Sequence, residues 1–192
     1  MQAGTLVAAE ASADDVDEGL ARAARDDLSA FGQLYERRVG DVFRYLRAGG
    51  ATEDQAAELT AVTFEKALRA IRSYQPKRAG LLAWLLRIAR NAAIDAARRS
   101  RNAAALDQVP DSDLPTVHVT PEDDAIVRAE HRRLRELVAA LPDAQRDAIV
   151  LRYASGLSPH EIGAVIGKSE SATKKLLSRA LARLREDFDE AR

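Results

Sequence analysis

Apolar side chains recur every three or four residues along most of the chain, and this spacing predicts amphipathic helices. The glycine pair at 49–50 indicates the end of the first helix, and Thr52 with Gln55 predicts a capping box at the start of the second. A third helix is predicted over residues 81–101. The pattern shows no alternation typical of a strand, so the sequence predicts an all-α protein. The first apolar stripe comprises Phe31, Leu34, Tyr35, Val39, Val42, Phe43 and Leu46.

Two small helical domains are predicted, because residues 103–124 interrupt the helical period. This segment has three prolines and many acidic residues, which indicates a flexible acidic linker able to hold the domains well apart. Thr120 and Pro121 are suited to capping the first helix of the second domain. The predicted divisions are an acidic disordered tail (1–25), a first domain (26–102), the linker (103–124), a second domain (125–187) and a C-terminal tail (188–192).

The stretch GAVIGKS at residues 163–169 has the residue types of a nucleotide-binding loop, but its spacing and context argue against that function. Three residues separate Gly163 from Gly167, whereas the phosphate-binding loop needs four. A phosphate-binding loop also follows a buried strand, and the residues before Gly163 predict a helix. The sequence therefore favours a packing role for Gly163, because glycine leaves room for two helices to approach closely.

The same segment fits a helix-turn-helix. Ser158, Pro159 and Glu161 predict a capped first helix, Gly167 permits a sharp reversal, and Ser169 can cap a second helix that runs to about residue 185. A basic second helix fits the DNA major groove, where lysine and arginine reach phosphates and guanine edges. The candidate DNA-binding side chains are Ser169, Ser171, Lys174, Lys175, Ser178 and Arg179.

The charge distribution indicates a second contact with a polyanion. The net charge is only -1, yet residues 65–101 and 168–185 carry an excess of lysine and arginine. Residues 1–30 and 107–124 carry an excess of acids. Two separate basic segments favour two contacts with nucleic acid over one.

Other classes of protein find little support in the composition. The chain has no cysteine and three histidines, and the histidines lack metal-ligand spacing, so neither a metal nor a cofactor is predicted. No nucleophile–base pair is visible, and an enzyme is therefore not expected. No run of about 18 apolar residues and no signal-peptide pattern occurs, which predicts a soluble cytoplasmic protein without membrane insertion.

These segments together resemble a known family. Over about residues 27–187 the chain is similar to bacterial RNA polymerase sigma factors of the sigma-70 family, in the small two-domain extracytoplasmic-function (ECF) group. FGQLYERRVGDVFRYL and AAELTAVTFEKALRAI resemble the start of the sigma-2 domain and its polymerase-clamp-binding helix. LLAWLLRIARNAAIDAARR resembles the segment that melts the promoter and recognises the -10 element, and residues 141–186 resemble the sigma-4 domain that reads the -35 element.

The resemblance implies roles for named residues. It implies core RNA polymerase and promoter DNA as partners, leaves an anti-sigma factor open, and assigns part of a base pocket to the loop SYQPKRAG. The residues implied in polymerase docking are Glu58, Leu59 and Phe64. Those implied in promoter melting and -10 recognition are Trp84, Arg87, Arg90, Asn91, Asp95, Arg98 and Arg99.

Some alternatives stay open at this point. Trp84 fits a core position as well as a base-stacking one, and Asp95 is also placed to pair with Arg98 or Arg99 along a helix. A stand-alone helix-turn-helix regulator, with an N-terminal domain that senses a ligand or dimerises, is the competing function.

The chain departs from the family pattern at positions that affect both partners. Ala61 and Val62 replace a usual glutamine and acid of the clamp-binding helix. In the helix-turn-helix, Lys168 and Thr173 take usually apolar positions and Leu176 takes a usual arginine position. A lost arginine contact to guanine costs roughly 1–3 kcal/mol of base discrimination, so a divergent -35 preference is predicted.

Overall fold

The computed structural model describes residues 13–76, 79–106 and 125–190, and these residues form α-helices with one short 3₁₀ helix and no strand. The all-α prediction is therefore confirmed. The 3₁₀ helix, Ile71–Ser73, follows α3. The α-helices are α1 (Ala13–Ala23), α2 (Leu28–Ala48), α3 (Glu53–Ala70), α4 (Gly80–Leu106), α5 (Ala125–Ala140), α6 (Asp143–Tyr153), α7 (Pro159–Ile166) and α8 (Glu170–Glu190).

Helix α1 corrects the predicted N-terminal tail, which is wrong from residue 13 onward. Asp17 is 1% exposed, and its carboxylate accepts hydrogen bonds from Arg37, at 2.9 Å, and from Arg38. Ala21 is also buried on the same helix. The acidic composition gave no sign of this packing, because the partners of Asp17 lie about twenty residues away in α2. Residues 1–12 lie outside the described part of the chain.

The N-terminal domain is built from α1 to α4. The largest buried side chains at its centre include Leu34, Val42, Leu85 and Leu86. The predicted capping box starts α3: the Gln55 amide donates to the Thr52 hydroxyl at 3.1 Å, and the Thr52 amide donates to the Gln55 side chain at 3.0 Å. Local sequence therefore fixes where α3 begins, and burial of its apolar face fixes where it packs.

The C-terminal domain comprises α5 to α8. Both hydrogen bonds of the second predicted capping box are present at the start of α7, between Ser158 and Glu161. Helix α8 continues to Glu190, so the tail predicted from residue 188 is wrong for 188–190. A contact with α5 stabilises this end of α8. The Arg133 guanidinium lies 5.0 Å from the centre of the Phe188 ring and donates to the backbone carbonyl of Phe188 at 3.0 Å.

The boundaries around the linker are partly described. Helix α4 extends four residues past the predicted end of the first domain, to Leu106. The remaining linker residues, 107–124, lie outside the described residues, as do the predicted caps Thr120 and Pro121.

The two domains pack against each other. Helix α4 contacts α7, α2 contacts α6, and their buried side chains form one continuous apolar cluster. Arg90 on α4 donates to the carboxylate of Asp147 on α6 at 2.7 Å. Burial and the nearby Asp147 carboxylate raise the pKa of Tyr45, on α2, well above its ordinary value. The sequence predicts a linker able to hold the domains well apart, but this structure packs them against each other.

Candidate nucleic-acid interface

Helices α7 and α8 form the predicted helix-turn-helix. Gly167 ends α7 in the left-handed region, with φ of 70°, and the Lys168 amide donates to the Gly163 carbonyl at 2.9 Å. The Ala172 amide donates to the Ser169 hydroxyl at 3.2 Å, so Ser169 caps α8 as predicted. Glycine suits position 167 because other residues rarely adopt a positive φ.

Close packing of α7 on the start of α8 depends on two small residues. A Cβ atom added at Gly163 would lie 2.5 Å from the Lys168 carbonyl oxygen and 3.3 Å from the Thr173 hydroxyl. Thr173 is fully buried, and its hydroxyl donates to the Ser169 carbonyl at 3.0 Å. Thr173 therefore occupies the apolar position predicted for it, where its polar atom is satisfied within the helix.

One face of α8 carries the predicted DNA-binding side chains. Residues 171, 174, 175 and 178 follow the three- and four-residue spacing of a single helical face. Ser169, at the cap, is exposed with them. The structure thus brings together the exposed side chains of Ser171, Lys174, Lys175, Ser178 and Arg179.

Lys174 has a partner on its own helix. Its ammonium lies 2.6 Å from the Glu170 carboxylate, and His160 lies 3.7 Å from the same carboxylate. The hydrogen bond from Lys174 is the main reason that the pKa of Glu170 is lowered. Glu170 therefore competes with any phosphate that approaches Lys174.

A second basic face runs along α4. Arg87, Asn91, Arg98 and Arg99 are exposed on it. Asp95 is 52% exposed and lies 4.0 Å from both Arg98 and Lys66, so its predicted pairing with Arg98 is present at the outer limit of an ion pair. Arg90 differs from these residues because Asp147 of the other domain holds it and its side chain is only 23% exposed.

A cavity of about 250 Å³ lies at the start of α4. Trp84 is half-buried beside it, with its ring centre 5.1 Å from that of Tyr74. The ring thus packs on Tyr74 and also borders the cavity, and a base-stacking role for Trp84 stays a prediction. The cavity is lined by Ser73, Tyr74, Gln75, Ala79, Gly80, Ala83, Trp84, Arg87 and Ala164.

The predicted polymerase-docking residues divide between surface and core. Glu58 is exposed on α3, but Leu59 and Phe64 are only 9% and 4% exposed. The Phe64 ring packs edge-on against Tyr35, with 4.8 Å between ring centres. Leu59 and Phe64 therefore do not offer the direct contact predicted for them. Their positions in the buried stripe of α3, with Ala56, Thr60 and Ala67, were the sequence signal for a core role.

Sequence reasoning missed two exposed apolar side chains beside Phe64. Tyr35 is 42% exposed, and Leu68, one turn after Phe64 on α3, is 39% exposed. Helical periodicity placed Tyr35 in the first apolar stripe, and Leu68 fits the apolar spacing of α3. Only the packed structure shows that each lies at the edge of the core.

Comparison with known proteins identifies the family. The model for sigma-70 region 2 matches residues 34–103, and that for sigma-70 region 4 matches residues 131–184. The ECF RNA polymerase sigma factor BldN of Streptomyces coelicolor is 35% identical over 185 residues, which cover 94% of this chain and 69% of BldN.

The chain belongs to the ECF group of the sigma-70 family. It is a sigma factor that directs transcription initiation with core RNA polymerase on promoter DNA. Matches to region 2 and region 4, in that order along the chain, favour a sigma factor over a stand-alone helix-turn-helix regulator. Such a regulator requires only the helix-turn-helix of the second region. We therefore call the N-terminal domain region 2 and the C-terminal domain region 4.

Two solved structures share this fold. The structure of CnrH in complex with the cytosolic domain of CnrY has a TM-score of 0.70 and 27% identity, covering 91% of this chain and 98% of CnrH. The sigma factor RpoE of Bartonella quintana, solved in complex with the anti-sigma factor NepR, has a TM-score of 0.69 and 26% identity. That match covers 84% of this chain and 98% of RpoE.

Within residues 13–76, 79–106 and 125–190, no group of three or more acidic or histidine side chains is placed to hold a metal ion. None of the helices in the described part of the chain is both long and apolar enough to cross a membrane.

Proposed function

We propose that this sigma factor reads the -35 element with the exposed face of α8. The observation that carries the proposal is the single face formed by residues 171, 174, 175 and 178, at the start of the second helix of a helix-turn-helix. The first turns of such a helix enter the major groove, where lysine and arginine reach phosphates and base edges. Arg179 and Ser169 flank this face and would contact the backbone.

The same geometry supports a divergent -35 preference. Thr173 is buried, and Leu176 is half-buried where the family has an arginine, so neither offers a donor to a guanine edge. Lys168 and Lys175 are exposed cations. We expect phosphate contact to carry more of the affinity here than in other family members, and base readout to carry less.

We further propose that α4 holds the opened strand at the -10 element. Single-stranded binding needs cations that follow the phosphates and aromatic rings or cavities that receive unstacked bases. The exposed Arg87, Arg98 and Arg99 supply the cations, and the cavity beside Trp84 supplies a space for a base. Asn91 and Asp95 lie on the same helix and would contact the strand between these cations.

Polymerase docking is proposed for the surface around Glu58. Glu58 would contact the polymerase clamp directly, while Leu59 and Phe64 hold α3 in place from the core. The exposed Tyr35 and Leu68 would add apolar contact. Ala61 is exposed and Val62 half-buried, so this surface lacks the polar side chains usual at those two positions.

An anti-sigma factor is proposed as a further partner. The likeness to the Bartonella sigma factor, which was solved with the anti-sigma factor NepR, supports it. We propose that the protein acts in the cytoplasm, as a non-catalytic subunit without a cofactor.

Run-off transcription with core RNA polymerase tests the proposed function. The protein is added to core enzyme on a pool of genomic promoter fragments, and the transcripts are mapped. We expect transcripts that start at fixed promoters, and their loss when Lys174, Lys175 and Arg179 are replaced together by alanine. The proposed function would be refuted if no template gave a promoter-dependent transcript while a control sigma factor was active with the same core enzyme.

A further inference from the structure

We propose that Arg25, in the turn after α1, is a positioning residue for -10 recognition, because it holds the backbone of Tyr74 and thereby one side of the cavity at the start of α4. This proposal rests on the proposed role of that cavity as a base site. Arg25 is half-buried and does not line the cavity itself. It acts through the segment 73–75, which does line it.

The first contact is a hydrogen bond between the turn and this segment. The Arg25 guanidinium donates to the Tyr74 carbonyl at 2.7 Å, across 49 positions of sequence. The chain leaves the 3₁₀ helix at Tyr74, where a ψ of 128° turns it into an extended course. Because a peptide group is planar, fixing this carbonyl also fixes the amide of Gln75 and the direction in which the chain continues.

Gln75 carries that direction into the wall of the cavity. It lines the cavity and precedes Pro76, and a residue before proline is restricted to extended backbone. The chain between Tyr74 and Pro76 therefore has little freedom of its own. A rotation of the Tyr74 carbonyl moves the Gln75 side chain relative to Trp84, which lines the same cavity.

The second contact joins the same two segments in the reverse direction. Arg72 donates to the Arg25 carbonyl at 3.0 Å, and its guanidinium lies 3.6 Å from the Asp26 carboxylate. The turn after α1 is thus bonded to the chain at residues 72 and 74. Helix α1 is itself fixed on α2, because the buried Asp17 accepts hydrogen bonds from that helix.

The Tyr74 side chain does not anchor itself by a polar contact. Its hydroxyl is buried and has no hydrogen-bond partner among the described residues. Burial, and then the nearby carboxylates of α1 with Glu18 foremost, raise the pKa of Tyr74 to about 12, so the hydroxyl stays protonated. The ring packs on Trp84, with 5.1 Å between ring centres. Ring packing and the bond from Arg25 therefore hold Tyr74 in place together.

Arg25→Ala tests this role, with Arg22→Ala as the matched control. Both changes remove one cation near the end of α1, and Arg22 is exposed. Each protein is assembled with core RNA polymerase and transcribes one active promoter randomised at the -10 or the -35 element, with a barcode in the transcribed part. We expect Arg25→Ala to reduce the preference for the favoured -10 base by roughly threefold, since one hydrogen bond contributes a factor of about two to ten.

The pattern of preferences separates positioning from general loss of stability. Arg25→Ala should leave the -35 preference unchanged, Arg22→Ala should leave both preferences unchanged, and Arg25→Lys, which keeps a donor, should restore most of the -10 preference. A less stable protein gives fewer transcripts from all templates alike. A lower yield from the Arg25→Ala protein with an unchanged -10 preference would therefore overturn the proposal.

A second pair of variants removes the dependence on the folding of one mutant. Arg72→Ala cuts the reverse bond at a side chain that is 78% exposed, and Arg69→Ala makes the same change at one that is 76% exposed. Arg72→Ala should also reduce the -10 preference, by less than Arg25→Ala does, and Arg69→Ala should not. A lost phosphate contact would instead weaken all sequences alike, and that result for Arg72→Ala would count against the proposal.

Trp84 supplies a readout that needs no polymerase. It is the single tryptophan of the chain, and its emission should shift in the Arg25→Ala protein but not in the Arg22→Ala or Arg25→Lys proteins. An unchanged emission in the Arg25→Ala protein would overturn the positioning of Tyr74. Run-off transcription separates the two proposals: inactive wild-type protein refutes the sigma function, whereas active protein whose -10 preference survives Arg25→Ala refutes the positioning role alone.

Discussion

Helices α4 and α8 carry similar basic side chains, but the fold presents them differently. The face of α8 points outward along its first turns, and its main intramolecular contact is the pair between Lys174 and Glu170 of the same helix. The first half of α4 lies against region 4, which holds Arg90 and closes the cavity beside Trp84. Two basic segments that look equivalent in sequence therefore differ in whether nucleic acid can reach them.

Substitution of Gly163 should have the largest effect, because it disturbs both the position of α8 and the contact of α7 with α4. A Cβ atom at Gly163 would lie 2.5 Å from the backbone oxygen of Lys168, so Gly163→Ala must displace α8 and disturb the packing of α7 on α4. We expect a loss of roughly 1–3 kcal/mol in the free energy of unfolding, measured by urea denaturation.

Gly40→Ala is the matched control for that experiment. Gly40 lies within α2, and a Cβ atom added there meets nothing within 4 Å. Alanine is favoured over glycine inside a helix by roughly 0.5–1 kcal/mol, so this variant should gain stability. A Gly163→Ala protein as stable as the Gly40→Ala protein would show that the close contact between α7 and α8 is not required.

The contrast between these glycines shows what sequence alone can resolve. Capping boxes, the turn at Gly167 and the tight site at Gly163 depend on neighbouring residues, so the sequence predicts them well. The pairs of Asp17 with Arg37 and of Arg90 with Asp147 join residues 20 and 57 positions apart. Neither pair can be recognised from the residues next to it in the sequence. For that reason residues 13–23 were predicted as part of a tail, and the packing of the C-terminal domain on α4 was not predicted.

Helix α3 shows a second limit of sequence reasoning. A three- to four-residue period separates the two faces of α3, but it does not say how far its neighbours extend over each position. Leu59 and Phe64 were therefore predicted to contact the polymerase although both are buried, and the exposure of Tyr35 and Leu68 was not foreseen.

The next effect, moderate in size, concerns the two lysines of α8. Lys175→Ala should weaken binding to a random-sequence 20-base-pair duplex more than Lys174→Ala does, because Glu170 already partly neutralises Lys174. Loss of one phosphate contact reduces the slope of log affinity against log salt by about 1. Fluorescence anisotropy at several salt concentrations gives this slope. Equal losses for the two variants would indicate that DNA displaces Glu170 freely.

The smallest expected effect is that of Glu170→Gln, which releases Lys174. The Lys174 hydrogen bond lowers the pKa of Glu170, so the carboxylate stays ionised and keeps its partner to a lower pH than an ordinary glutamate would. Removing the charge should tighten duplex binding by roughly two- to fivefold, since exposed ion pairs are weak. Glu186→Gln, on the same helix away from Lys174, controls for the change in net charge. An unchanged duplex affinity of the Glu170→Gln protein would indicate that Lys174 does not contact a phosphate.

The difference between an open α8 and a covered α4 is tested most directly by the accessibility of Trp84. Trp84 is the single tryptophan of the chain, so acrylamide quenching of the intrinsic fluorescence reports the cavity at the α4–α7 contact without any label. The closed arrangement predicts weak quenching in the wild-type and Asp143→Lys proteins and clearly stronger quenching in the Asp147→Lys protein. Equal quenching in all three proteins would contradict the cover of region 4 on α4.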